Sequence, residues 1–266
     1  MQGNFAVTKV NDLTIHTYTS PENGWSVNSH IVELPTQLLL VDAQLLIPYA
    51  KEVAGYAAEL GKPITWLYVT HHHPDHYFGA QVFDIKVSAL HQTAEMIAAT
   101  GDAYVKAMHP RLGELVPGKV HKPEIVIAPG YDVIDGVDIE FIHSTNAETA
   151  DALMIAFPKH GVIITQDLIY NNIHAFLGEM AFETWRNDIK ALQKSKAYDH
   201  ILPGHGAPGG PELYQQMLDY LELAGNVYDQ SKSFEEFVNL LTSACPNRQN
   251  QIVLKVNERY LYPKKS

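Results

Sequence analysis

The chain predicts a mixed α/β fold of the α+β kind, with two β-sheets packed face to face beneath outer helices. Three observations carry that expectation. Short apolar runs rich in β-branched and aromatic residues fill residues 4–43 and recur across 124–165, which is the signature of strands. Four of them come in succession before any helical spacing, so the chain opens as an antiparallel sheet and not as alternating βαβ units. Each half then runs from strands into helices and carries its histidines late.

Taken in order, Phe5–Val10 and Leu13–Tyr18 flank Asn11-Asp12, a two-residue hairpin turn. Val27–Leu34 and Leu38–Asp42 follow, separated by Pro35-Thr36. Residues 47–60 place Ala50, Val53, Ala54, Ala57 and Leu60 on one helical face, and Gly61 stops them. Ile64–Val69 reads as a buried strand. Phe78–Phe83 fits one or two helical turns, Lys86–Leu90 a strand, and His91–Ala99 a helix stopped by Thr100-Gly101. From Asp102 to Pro123 the pattern weakens, and a lid or insertion beside a site is expected. Strands resume at Glu124–Ala128, Asp132–Ile134 and Val137–His143. Ala152–Phe157 and Val162–Thr165 form a hairpin across Pro158–Gly161. Phe182–Lys194 is amphipathic, His200–Leu202 is a short strand, and Pro203–Gly206 is a sharp loop. Residues 211–228, 233–244 and 248–260 are helical. The expected organisation is a domain over 1–210 with a helical extension over 211–266 packed on it.

At 266 residues, 46% hydrophobic and 18% charged, the composition suits a globular protein with a substantial core. A net charge of −11 without a basic run argues against a nucleic-acid footprint. The single cysteine, Cys245, excludes an intrachain disulfide and a cysteine-rich zinc module; it reads as an inert small apolar residue. No apolar run reaches membrane-spanning length, and Met1–Phe5 lacks a signal-peptide pattern. The expectation is a cytoplasmic protein acting on a small molecule, with no nucleic-acid or membrane partner. The tail aromatics Tyr214, Tyr220, Tyr228, Phe234, Phe237, Tyr260 and Tyr262 read mainly as helical core, with capping of a pocket or a homodimer face as other uses.

The chemistry concentrates in Thr70-His71-His72-His73-Pro74-Asp75-His76, directly after the 64–69 strand. Alternation along an extended chain puts His71, His73 and Asp75 on one side and His72 on the other. Pro74 lets the chain turn and aim His76 inward. Neutral imidazoles and a carboxylate suit a borderline ion such as zinc. Three later residues are candidates to complete such a site. Asp167 closes an apolar strand where a carboxylate has no packing reason to sit, His205 lies between two glycines, and Glu148 precedes the hairpin.

His71-x-His73-x-Asp75-His76, followed by Asp167 and Pro203-Gly-His205-Gly, resembles the metallo-β-lactamase superfamily over roughly residues 5–210. The resemblance implies a four-layer αββα sandwich with two metal ions, zinc first and iron or manganese as alternatives, at one edge between the sheets. It implies that His71 and His73 hold the first ion, that Asp75, His76 and His205 hold the second, and that Asp167 bridges them. The family usually supplies a third histidine to the first ion from a Gly-His-Thr segment. Here Glu148-Thr149 stands in its place, so Glu148 is expected as a ligand that weakens the Lewis acidity of the first ion or favours a harder one. Tyr170 matches a position where some family lactonases polarise the substrate carbonyl, and His174 is a candidate for lining the pocket. Asp84, Asp151 and His143 are candidates to orient the imidazoles, and His72 is read as supporting. His16, His30, His91, His109, His121, His160 and His200 are read as surface or satisfied core groups.

The expected function is therefore hydrolysis of an ester, lactone, thioester or amide by a hydroxide shared between two ions, with Asp75 shuttling the proton. A non-haem iron oxygenase or redox protein, and a metal-binding protein with a degenerate first site, are the alternatives.

Overall fold

The computed structural model describes residues 2–263. Seven strands form the first sheet in chain order: β1 (Asn4–Val10), β2 (Leu13–Thr19), β3 (Asn28–Glu33), β4 (Leu38–Val41), β5 (Ile64–Tyr68), β6 (Val87–Leu90) and β7 (Ile125–Ile127). The first four pair antiparallel and the last four parallel. The second sheet has the order β12-β11-β10-β9-β8, built from β8 (Gly130–Ile134), β9 (Val137–Thr145), β10 (Asp151–Phe157), β11 (Val162–Tyr170) and β12 (His200–His205). All its pairings are antiparallel except that of β11 with β12.

Alternation explains the layering. Val32, Leu39 and Val41 of the first sheet meet Leu153, Ile155, Phe157, Val162 and Ile164 of the second in one core between the sheets. Their neighbours Ile31, Leu38 and Leu40 point the other way, onto α1 (Ile47–Glu59) and α3 (His91–Leu112). Met154, Ala156 and Ile163 likewise face α4 (Phe182–Ser195), α5 (Glu212–Gln230), α6 (Phe234–Ala244) and α7 (Ile252–Leu261). A period of two with both faces buried can only be satisfied by helices outside each sheet. The result is the αββα sandwich. Among the described residues no helix is long and apolar enough to cross a membrane.

Three expectations are corrected. The helix from His91 does not stop at Gly101 but runs to Leu112, so 102–112 is no loop insertion. Ile97 and Val105 continue the buried stripe across Gly101, where a Cβ would lie 3.0 Å from a Val120 methyl carbon; the glycine serves close packing, not termination. The 162–165 strand extends to Tyr170 through irregularities around Gln166, which has φ 46°, so Asp167 lies inside a bulged strand and does not close one. The last strand runs on through Pro203 to His205, because the Pro203 carbonyl is held from β3 by Asn28 Nδ2 (2.8 Å) and His30 Nε2 (3.2 Å).

Candidate metal centre

The site lies where β4, β5, β11 and β12 deliver their C-terminal ends to one edge of the sandwich. The chain leaves β5 and turns at Pro74 into a single helical turn, α2 (Pro74–Tyr77). His71 and His73 are thus presented from extended backbone, and Asp75 and His76 from the helical turn. The alternation expected through Asp75 therefore fails beyond His73. Glu148 comes from the connection between β9 and β10, Asp167 from the bulge of β11, and His205 from the end of β12. Gly204 makes room for the bulge, since a Cβ there would lie 1.8 Å from Asp167 Oδ1.

Two groups of donors result. In His71, His73, Glu148 and Asp167 the donor atoms all lie within 4.8 Å of one another, as they do in Asp75, His76 and His205. Asp167 Oδ2 joins the groups, lying 3.8 Å from His71 Nε2, 3.4 Å from His76 Nε2 and 3.2 Å from His205 Nε2. In the first group His73 Nδ1 is 3.0 Å from His71 Nε2 and 3.3 Å from Glu148 Oε1. In the second, Asp75 Oδ2 is 3.3 Å from His205 Nε2 and 3.5 Å from His76 Nε2.

The donor set fits divalent cations. His76 Nε2, Glu148 Oε2 and Asp167 Oδ1 are buried without a hydrogen-bond partner, an arrangement that costs free energy unless an ion completes it. Burial holds His71 well below the usual imidazole range and therefore neutral, the form a ligand requires. Burial alone would raise Asp75 and Asp167, but His76 and His205 outweigh it and keep both carboxylates ionised. Glu148 differs. Burial raises it despite the attraction of His73, so this carboxylate lacks positive charge. Burial would also lower His205, yet Asp167 and Asp75 carry it to about 10.

His76 is oriented directly, and His71 through Thr70, by Asp42, the last residue of the expected Leu38–Asp42 strand. Asp42, fully buried with φ 60°, accepts from His76 Nδ1 (2.7 Å), from the Thr70 amide (2.8 Å) and hydroxyl (2.8 Å), and from Gln166 Nε2. The Thr70 hydroxyl has then given its proton away, so it accepts from His71 Nδ1 at 3.0 Å, which leaves His71 Nε2 as the free lone pair. His205 Nδ1 donates to the Trp25 carbonyl at 2.9 Å. The signal for Asp42 was present: like Asp167, it is a carboxylate at the end of an apolar strand. Asp151, expected in this role, instead binds Thr93 (2.6 Å) and His143 (2.6 Å), and Asp84, also expected there, is exposed. His72 is buried against the Thr149 hydroxyl at 3.2 Å, off the donor face as expected.

The Tyr170 hydroxyl lies 2.6 Å from Asp167 Oδ2 and 3.2 Å from Glu148 Oε1. Burial and the Asp167 charge keep it protonated, so its proton is committed to the carboxylates. His174 is a correction. It is fully buried against the Tyr220 hydroxyl (3.2 Å) beneath α5 and does not line the cavity that opens over the donors. That cavity, about 940 Å³, exposes His73, Asp75, Asp167, Tyr170 and His205 at its floor.

Known proteins share this fold. The structure is similar to "Metallo-beta-lactamase from Pontibacter korlensis", with a TM-score of 0.65 at 21% identity over 82% of this chain and 99% of that one. It is similar also to the metallo-β-lactamase FIM-1 from Pseudomonas aeruginosa, solved in a mono-zinc form, with a TM-score of 0.61 at 20% identity over 84% and 96% of the two chains. The family model of the metallo-β-lactamase superfamily matches residues 23–205. The chain is therefore a member of the metallo-β-lactamase superfamily.

Proposed function

We propose that this protein is a hydrolase with two metal ions, acting on a small molecule through an ester, lactone, thioester or amide bond. The observation that carries the reading is Asp167 Oδ2 standing between two convergent donor groups at the floor of a large cavity. His71, His73 and Glu148 would hold one ion, Asp75, His76 and His205 the other, and Asp167 would face both. When bound, such ions lower the pKa of water toward neutrality and polarise a substrate carbonyl.

The chain's own groups supply the rest. Asp42 and the Trp25 carbonyl accept the Nδ1 protons of His76 and His205, so each ring turns its Nε2 inward. Tyr170 donates to Asp167 and steadies the carboxylate shared by the two groups; with its proton so committed, it acts by positioning and not by polarising a carbonyl. Asp75, at the cavity floor, would also accept a proton and return it to the departing atom.

Zinc is the ion this donor set favours at the Asp75–His76–His205 group. Glu148 supplies an oxygen donor where nitrogen is usual, which favours iron or manganese in the first group and keeps an iron-dependent oxygenase as a second reading. The two separate on one experiment: load the protein anaerobically with zinc, iron or manganese, count bound metal, and assay p-nitrophenyl esters, lactones, thioesters and nitrocefin. The hydrolase reading expects stoichiometric metal and chelator-sensitive turnover with zinc. Turnover confined to the iron form and dependent on oxygen would replace it with the second reading, and no metal uptake at all would end both.

A further inference from the structure

The wall of the cavity, as distinct from its floor, is made of side chains that the hydrolytic chemistry does not use. On one side α3 contributes Tyr104, Met108 and Leu112, spaced four residues apart on one face. On the other, α7 contributes Ile252, Val256 and Tyr260. All six are only partly buried, so a concave apolar surface is left facing water beside the donors. That surface is continuous with the floor. The Phe176 ring meets His73 edge-on at 4.9 Å and meets Tyr260 edge-on at 5.1 Å. Half of the wall, α7, lies outside the stretch 23–205 that matches the family model, so this pocket is built by the chain's own tail.

Its volume of about 940 Å³ stands at the upper end of the roughly 300–1,000 Å³ typical of small-molecule sites. A substrate consisting of little more than its scissile group would leave most of this apolar wall wet. Covering it with an aliphatic or aromatic group is favourable in proportion to the area removed from water.

We infer that the substrate carries a large hydrophobic acyl or aryl group, which lies between α3 and α7 while its scissile bond rests over the donor groups. This inference rests on the hydrolase reading for the scissile bond but not for the hydrophobic group. The wall is the specificity-determining element, and Phe176 joins it to the reacting centre.

Two readouts test it on the metal-loaded protein. The first is kcat/KM for the p-nitrophenyl esters of acetate, butyrate, hexanoate and octanoate. The second is binding of 1-butanol, 1-hexanol and 1-octanol by calorimetric titration, which needs no turnover. Both are expected to improve by about fourfold per added methylene until the wall is covered. Met108→Asp on one wall and Val256→Asp on the other each place a charge in the path of the chain. Each is expected to cut the octanoate-to-acetate ratio by at least about tenfold and to flatten the alcohol series. The two variants come from different helices, so a folding failure in one leaves the other, with circular dichroism and thermal melting as the check. A flat chain-length profile in both readouts, or gradients unchanged in a folded variant, overturns the inference. If no ester, lactone, thioester or amide is turned over yet the alcohol gradient is present and lost in the variants, the hydrolase reading fails and the hydrophobic pocket stands.

Discussion

In the group of Asp75, His76 and His205, each imidazole has its far nitrogen fixed by a buried acceptor, Asp42 for His76 and the Trp25 carbonyl for His205. The strand under His205 is itself tied to β3 through Asn28 and His30. In the group of His71, His73 and Glu148 the support is thinner. His71 leans on a neutral hydroxyl, and one oxygen of Glu148 is orphaned. His73, with 14% of its side chain exposed, borders the cavity. The two groups use similar donors, but the imidazoles of His76 and His205 are tied from behind to a carboxylate and a carbonyl, whereas His71 is tied only to a hydroxyl. On the proposed two-ion reading, the difference predicts that the wired group holds its ion the more tightly and that the Glu148 group is the more adjustable of the two.

The largest break in that comparison is Asp167→Ala, which removes the carboxylate that lies within 4 Å of imidazoles in both groups. Turnover is expected to fall by more than about a hundredfold and both ions to be held more weakly, since even partners behind the ligands are worth about 10–100-fold. Inductively coupled plasma analysis after dialysis reads the second effect. Asp42→Asn comes next. It is expected to weaken the His76 group by about 10–100-fold and the His71 group by less than about tenfold, measurable by competition with a chelator of known affinity.

Tyr170→Phe acts on the other side of the comparison. It removes a donor 2.6 Å from Asp167 and 3.2 Å from Glu148, and a hydrogen bond to a charged group is worth about 1.5–3 kcal/mol. The expected result is about tenfold weaker binding at the Glu148 group, which loses both contacts, and a smaller loss at the Asp75–His76–His205 group through the shared Asp167.

The smallest effect concerns the strand beneath His205. Burial holds His30 neutral, with its pKa lowered to about 3. A pKa below the unfolded value of roughly 6.5 means that the contribution is fully present above that pH and is lost as pH falls toward 3. Folding should weaken by about 1.4 kcal/mol for each pH unit in that window on account of this group. His30→Gln should flatten the slope in urea melts between pH 6.5 and 4. An unchanged slope would remove His30 from the account.

Much of this site was legible because its residues announce themselves locally. His71 to His76 are contiguous, and Asp167 and His205 interrupt apolar or glycine-flanked runs where nothing else explains them. Asp42 carries the same signature as Asp167 but was absorbed into a strand end, because its partners Gln166 and His76 are far off in the chain. The cavity wall was hidden for a different reason. Gly101 reads as a helix stop in one dimension, and only packing against Val120 shows it as a helix interior. Most tail aromatics do pack in the core, including Tyr214, Tyr220 and Phe237, whereas Tyr260 and Tyr262 reach the cavity. Local periodicity cannot separate these uses, since both present the same apolar face.

The central claim is that Glu148 completes the adjustable group and leaves the wired one alone. The direct measurement is the zinc stoichiometry of Glu148→Ala against the parent protein, by plasma analysis after equilibrium dialysis at matched free zinc. The expected result is two ions per chain in the parent and one in the variant, with the remaining ion lost when His76→Ala is added. Two ions in both proteins would show that Glu148 is no ligand, and the distinction between the groups would fall with it.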